Sequence, residues 1–189
     1  MINIYQNVEI STMKSFAITI TLMYNILNDN DLGRRIMKYQ CKLVDDETAR
    51  YVLSIKTTTT LENLSKTLSQ CYSAIEGYLY KMGEHPLGAP FVAFHSNDTD
   101  NLVIEAGYPV SKLIAGKGDI IASELPTGKK VSCTYMGPYE KIKPDYDDIM
   151  AWMKKHNFKP KGISYEFYRG DPTEVAQEEL ETEVVIPIH

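Results

Sequence analysis

The chain repeats itself. Pro86 and Gly88 precede the apolar stretch APFVAF, and Pro160 and Gly162 precede ISYEFY, 74 residues further on. Tyr72 and Tyr146, Ile75 and Ile149, and Phe94 and Tyr168 keep that offset. Glu105 and Pro109 in IEAGYPV then match Glu183 and Pro187 in TEVVIPI at an offset of 78. The four extra residues fit in RGDPTEVAQEEL, which is longer than its counterpart HSNDTDN. So many positions of matching type in one order point to duplication. This constrains the fold more than any other feature. One unit alone cannot hide both its sheet face and its helix, whereas two copies packed about a pseudo-twofold axis can, and their seam is a natural cleft.

Each copy reads the same way. In the first, KYQCKLVD and RYVLSIK are strand-like, and Leu61, Leu64, Leu68, Cys71, Ile75, Tyr78, Leu79 and Met82 then recur at helical spacing. Thr59 with Glu62 fits a capping box, and Gly83 suits the helix C-terminal cap. PFVAFH and LVIEAGYPV finish the unit. In the second, KGDIIASEL and KKVSCTYM are strands. Ile142, Tyr146, Ile149, Trp152 and Met153 then share a helix face, with Pro144 near its first turn and Lys154 and Lys155 at its end. ISYEFY and TEVVIPI complete the copy. The expectation is an α+β domain of about eight antiparallel strands and two main helices, with repeat 1 at about 37–112 and repeat 2 at about 113–189.

Residues 1–36 lie outside this scheme. FAITITLMYNIL at 16–27 is apolar but falls short of the roughly 20 residues that span a bilayer. Lys14 precedes it, yet no small-residue cleavage site follows. The segment reads as an N-terminal extension of unknown role, an added helix or strand or a leader; Met37 is an alternative natural start. No membrane association is expected.

Composition narrows the function. The net charge of −5, with no long Lys/Arg run, lacks the basic footprint that direct nucleic-acid binding needs. Cys41, Cys71 and Cys133 lie far apart without a pairing pattern and read as reduced thiols of a cytoplasmic protein. His85, His95, His156 and His189 have no ligand spacing, so neither a metal nor a cofactor is expected. GKG at 116–118 lacks the spacing and the hydroxyl of a phosphate loop.

The second copy resembles the GyrI-like small-molecule-binding domains, also known as AraC-type effector-binding or BmrR C-terminal-like domains. The residues that carry the resemblance are GPYE at 137–140, the helix with Trp152, the P-K-G turn at 160–162, YEFY at 165–168, DP at 171–172 and TEVVIPI at 182–188. GYPV and GKGDIIASELPTGK fit the family's middle, so the resemblance runs from about Met37 to the C-terminus. It implies a duplicated strand–helix–strand–strand fold that takes hydrophobic, often cationic or aromatic compounds between its halves. A glutamate of the final strand commonly faces the ligand there, and Glu183 matches that position. The family often has an acid at the place of Glu166.

The chemistry can also be argued from the residues. A carboxylate among Val184, Val185 and Ile186 is expensive to bury unless paired or protonated. A lipophilic cation would supply the charge, and aromatic faces would add to its hold. The alternative stays open: strand side chains alternate, so Glu183 can point to water opposite a buried Val184. Glu105 is its repeat partner. Glu166 shares a strand face with Tyr168, while the first copy has Val92 at its place, so a cleft would be asymmetric there. Phe94, Tyr108, Tyr135 and Tyr168 on strands and Trp152 on a helix are the further candidates for ligand contact.

Three functions follow. The first is a stand-alone binding protein for hydrophobic or cationic compounds, a sensor or a resistance protein, acting through a regulator protein if it regulates. The second is a hydrolase of strained cyclopropane-type electrophiles, as some relatives are, with Glu183 and Tyr72 or Tyr146 as the acid–base pair. The third is a protein-binding modulator, as gyrase inhibition in one branch implies.

Overall fold

Short connections force the sheet to curl. The computed structural model describes residues 40–137, 146–170 and 175–189. The first 39 residues, Ile142, Pro144 and most of GPYE lie outside them. Strands β1 (Gln40–Asp46) and β2 (Arg50–Thr59) precede helix α1 (Leu64–Lys81), followed by β3 (Phe91–Phe94) and β4 (Leu102–Pro109). The second copy has β5 (Ile121–Leu125), β6 (Gly128–Met136), helix α2 (Tyr146–Lys155), β7 (Ser164–Arg169), a 3-10 turn (Gln177–Glu179) and β8 (Glu181–Pro187). All eight strands form one sheet in the order β1-β6-β8-β7-β3-β4-β2-β5, and every neighbouring pair is antiparallel. In a flat sheet β5 and β6 would lie about 29 Å apart, six strand spacings of about 4.8 Å. The chain from Leu125 to Gly128 reaches about 11 Å at most. The β1–β2 connection poses the same problem, and both are met by rolling the sheet into a half-barrel.

The sheet order reads the same from both ends once each strand is exchanged for its repeat partner. Registers agree as well: Ser54 opposes Gly107 as Ser132 opposes Val185, and Lys56 opposes Glu105 as Thr134 opposes Glu183. This is the expected α+β duplication, with one feature that the repeat alone does not show. The first strand of each copy joins the other copy: β1 pairs with β6, and β5 pairs with β2. The pseudo-twofold axis passes between β3 and β7 at the opposed pair Val92 and Glu166, which are each other's repeat partners.

The two faces of the sheet differ. Ile75, Leu79, Ile149 and Met153 of the helices pack on Leu53, Ile104, Val131 and Ile186 in the main core, all almost fully buried. Burial of each such side chain is worth about 2 kcal/mol. The concave face holds a smaller cluster of Val52, Phe91, Ala93, Leu125, Tyr165, Phe167 and Val185. The Arg50 guanidinium reaches over the Phe167 ring at 5.5 Å, from β2 to β7.

Two local expectations need correction. The Thr59–Glu62 capping box does not form. Asn63 caps α1 without a side-chain hydrogen bond, and residues 61–63 make a turn in which the Asn63 N–H donates to Thr60 Oγ1. Gly83 does end the helix in a left-handed conformation, at φ +70°. The cysteines are not all reduced: Cys41 and Cys133 are disulfide-bonded, and Cys71 is free and buried. The exchange of β1 into the second copy sets Cys41 directly opposite Cys133, with Cα atoms 4.1 Å apart. The argument from cysteine usage to a cytoplasmic location loses its support. Among the described residues no helix is long and apolar enough to cross a membrane.

Candidate functional site

Strand β7 alternates between two environments, and this parity builds the site. Tyr165 and Phe167 face the concave cluster, while Glu166 and Tyr168 face the helices. Glu166 is only 3% exposed. Tyr168 donates its hydroxyl to Glu166 Oε2 at 2.6 Å, and Tyr146, the first residue of α2, donates to Oε1 at 2.7 Å. The Tyr146 hydroxyl also lies 3.3 Å from Ser164 Oγ. Burial holds the Glu166 carboxyl above the ordinary glutamate range, and the two tyrosine donors offset only part of that. Among the described residues, no cationic side chain pairs with it.

Tyrosines extend this cluster into the first copy. Tyr72 of α1, the repeat partner of Tyr146, donates to the Phe91 carbonyl at 3.0 Å and meets the Tyr108 ring edge-on at 5.3 Å. Tyr108 in turn donates to Glu76 Oε1. Burial pushes the hydroxyls of Tyr72, Tyr108 and Tyr168 far up, so all three stay protonated donors. Tyr108 and Tyr168 line a cleft of about 630 Å³ between the copies. Leu87, Pro90 and Pro109 wall it from the first copy, and Phe167 and Gly170 from the second, with Arg50 and Arg169 also lining it.

The structure therefore gathers Glu166, Tyr72, Tyr108, Tyr146 and Tyr168 at one place. Phe94 and Tyr135 face the same helix-covered layer. Tyr135 is buried, and burial raises its hydroxyl. Trp152 is half-buried and stacks with His156, at 4.0 Å between centroids, and with Phe158. Glu183 and Glu105 lie on the concave face. Glu183 accepts from Ser132 Oγ at 2.7 Å and pairs with Arg169. Glu105 accepts from Ser54 Oγ at 2.7 Å and pairs with His95 at 3.1 Å. The two arrangements are repeat partners residue for residue. Glu183 and the tyrosines Tyr72 and Tyr146, expected as an acid–base pair, stand on opposite sides of the sheet. The reason is strand alternation: Val184 and Ile186 take the helix-facing positions of β8. Sequence reading missed Glu76, the sole acid of α1. Its signal is the i, i+4 spacing from Tyr72.

A duplicated half-barrel with a tyrosine-lined cleft on its seam defines a two-copy α+β ligand domain. The chain belongs to the GyrI-like family: the sequence profile of the GyrI-like small molecule binding domain matches residues 40–189. None of the curated protein sequences matches the chain. Among solved structures, the EcmrR C-terminal domain is similar over 81% of this chain and 99% of its own, with a TM-score of 0.64 and 20% identity. EcmrR in complex with DNA is similar over 98% of this chain and 68% of its own, with a TM-score of 0.69 and 19% identity. SAV2435 bound to tetraphenylphosphonium has a TM-score of 0.52 and 13% identity, over 81% of this chain and 94% of its own. A hydrolase from Listeria innocua has a TM-score of 0.56 and 13% identity, over 79% and 92%. At these identities the likeness is one of fold.

Proposed function

We propose that this domain captures small lipophilic cations through the cleft between its copies, with Glu166 as the charge that holds them. One observation carries the reading: a fully buried carboxylate stands on the pseudo-twofold axis with tyrosine hydroxyls but, among the described residues, no cation beside it. Two neutral donors satisfy its oxygens without neutralising it. A ligand cation supplies that charge in a low dielectric, and the aromatic faces around it add about 0.5–2 kcal/mol each. The repeat has Val92 in the equivalent place, so the site offers one charge per domain. The cation-bound SAV2435, of the same fold, is consistent with this chemistry.

A thermal-shift titration with tetraphenylphosphonium tests the proposal. At a hundredfold excess over Kd the wild-type protein gains about 2.7 kcal/mol. Glu166→Gln is expected to abolish that gain while the protein still folds, and Glu183→Gln is expected to keep it. The reverse pattern would move the site to the concave face. A second reading, hydrolysis of a strained electrophile, draws on the Glu166–Tyr146 contact, since burial raises the carboxyl's affinity for a proton and so suits it to general acid–base work. Turnover of an epoxide or cyclopropane probe, lost in Glu166→Gln, would favour it over capture alone. A sensor or resistance role would rest on capture and on a partner that reads the occupied state.

A further inference from the structure

The concave face of the half-barrel carries a second cleft, of about 330 Å³, on the side of the sheet away from Glu166. Its lining is rich in donors: Lys42, Arg50, Lys130 and Arg169 converge there with Ser132. The carboxylates that meet them are already engaged. Asp46 pairs with Lys130 and stands 4.0 Å from Arg50, and Glu183 is held by Ser132 and Arg169. An ammonium carries three donors, so the pair with Asp46 leaves Lys130 donors over. Lys42 makes no ion pair among the described residues. Lys130 is only 7% exposed, an unusual depth for a lysine, and the hydrogen bond to it holds the Asp46 carboxyl below its ordinary range. An apolar wall of Leu125, Tyr165, Phe167 and Val185 adjoins the cleft.

We propose that this concave cleft is a second ligand site, for a small organic anion whose carboxylate or phosphate meets Lys42 and Lys130 while its aromatic or aliphatic body lies on Phe167 and Val185. Asp46 fills the place of that anion within the protein: it occupies Lys130 until a stronger or better-placed acceptor arrives. The inference is independent of cation capture, because it uses the opposite face of the sheet.

Calorimetric titration of the full-length chain with phenyl phosphate and with benzoate tests it, and the preference between the two tells which anionic group the site takes. Saturable binding of either one is expected. Lys42→Glu reverses the charge of an exposed side chain and is expected to weaken binding at least tenfold. Asp46→Asn removes the internal competitor and is expected to tighten binding severalfold. These opposite directions separate a site from general destabilisation, which would weaken binding in both variants. The proposal is overturned if neither anion saturates, or if the two substitutions leave the affinity unchanged or shift it the same way.

Discussion

Glu166 shows how one residue can be both a functional group and a structural liability. It accepts from Tyr146 and Tyr168 in a site without bulk water, and burial favours its protonated form. Its folded-state pKa is therefore raised above the ordinary 4.5. The folded protein retains a proton that the unfolded chain gives up first, so stability is greatest below 4.5 and falls as pH rises through the folded value. Glu166→Gln removes that loss. The variant is expected to be more stable to urea than wild type at pH 8, with the difference shrinking at pH 4. A wild-type advantage at pH 8 would mean that the carboxylate is better compensated than its described neighbours allow. Part of this arrangement is legible in the sequence. The mismatch of Glu166 with Val92 marks the asymmetry, and the alternation in YEFY sets Glu166 and Tyr168 on one face. What the pattern could not supply was which face of β8 looks toward the helices. Val184 and Ile186 compete with Glu183 and Val185 for that side, and only the packing of Ile75, Leu79, Ile149 and Met153 decides it.

At the scale of elements, strand β1 is held to β6 by three kinds of contact. These are the ladder from Gln40↔Thr134 to Asp46↔Gly128, the Lys130–Asp46 ion pair and the Cys41–Cys133 disulfide. The cysteines are 92 residues apart, and nothing in their spacing joins them. They become partners only through a strand exchange that a repeat cannot specify, since either copy of β6 or β2 is a fit partner for β1 by pattern. Closing a loop of that length removes about 4.6 kcal/mol of unfolded-state entropy on the chain-entropy account. The expected outcome is one titratable thiol, Cys71, in the denatured protein without reductant and three with it. Reduction, or Cys133→Ser, is expected to lower the unfolding free energy by about that amount. Three thiols without reductant would show that the bond does not form in solution.

The exchange has its largest consequence for the molecule as a whole. Two tandem copies with separate cores could unfold one after the other. Here each copy is completed by a strand from the other: β5 flanks β2, and β1 flanks β6. The central β3–β7 pairing joins the halves at the axis, and one core cluster draws on Ile75 and Leu79 from the first half and Ile149 and Met153 from the second. Neither half keeps a complete sheet when the other is lost, so the domain is expected to unfold in a single transition. The chain supplies a probe in each half. Cys71 is buried on α1 and reacts with a thiol reagent only when the first half opens. Trp152, the chain's one tryptophan, packs in one ring cluster with His156 and Phe158 on the second half and reports its opening by fluorescence. The two signals should share one urea midpoint in the oxidised protein. Two separated midpoints would mean that the halves hold their own stability, and that the exchanged strands decorate two domains rather than weld one.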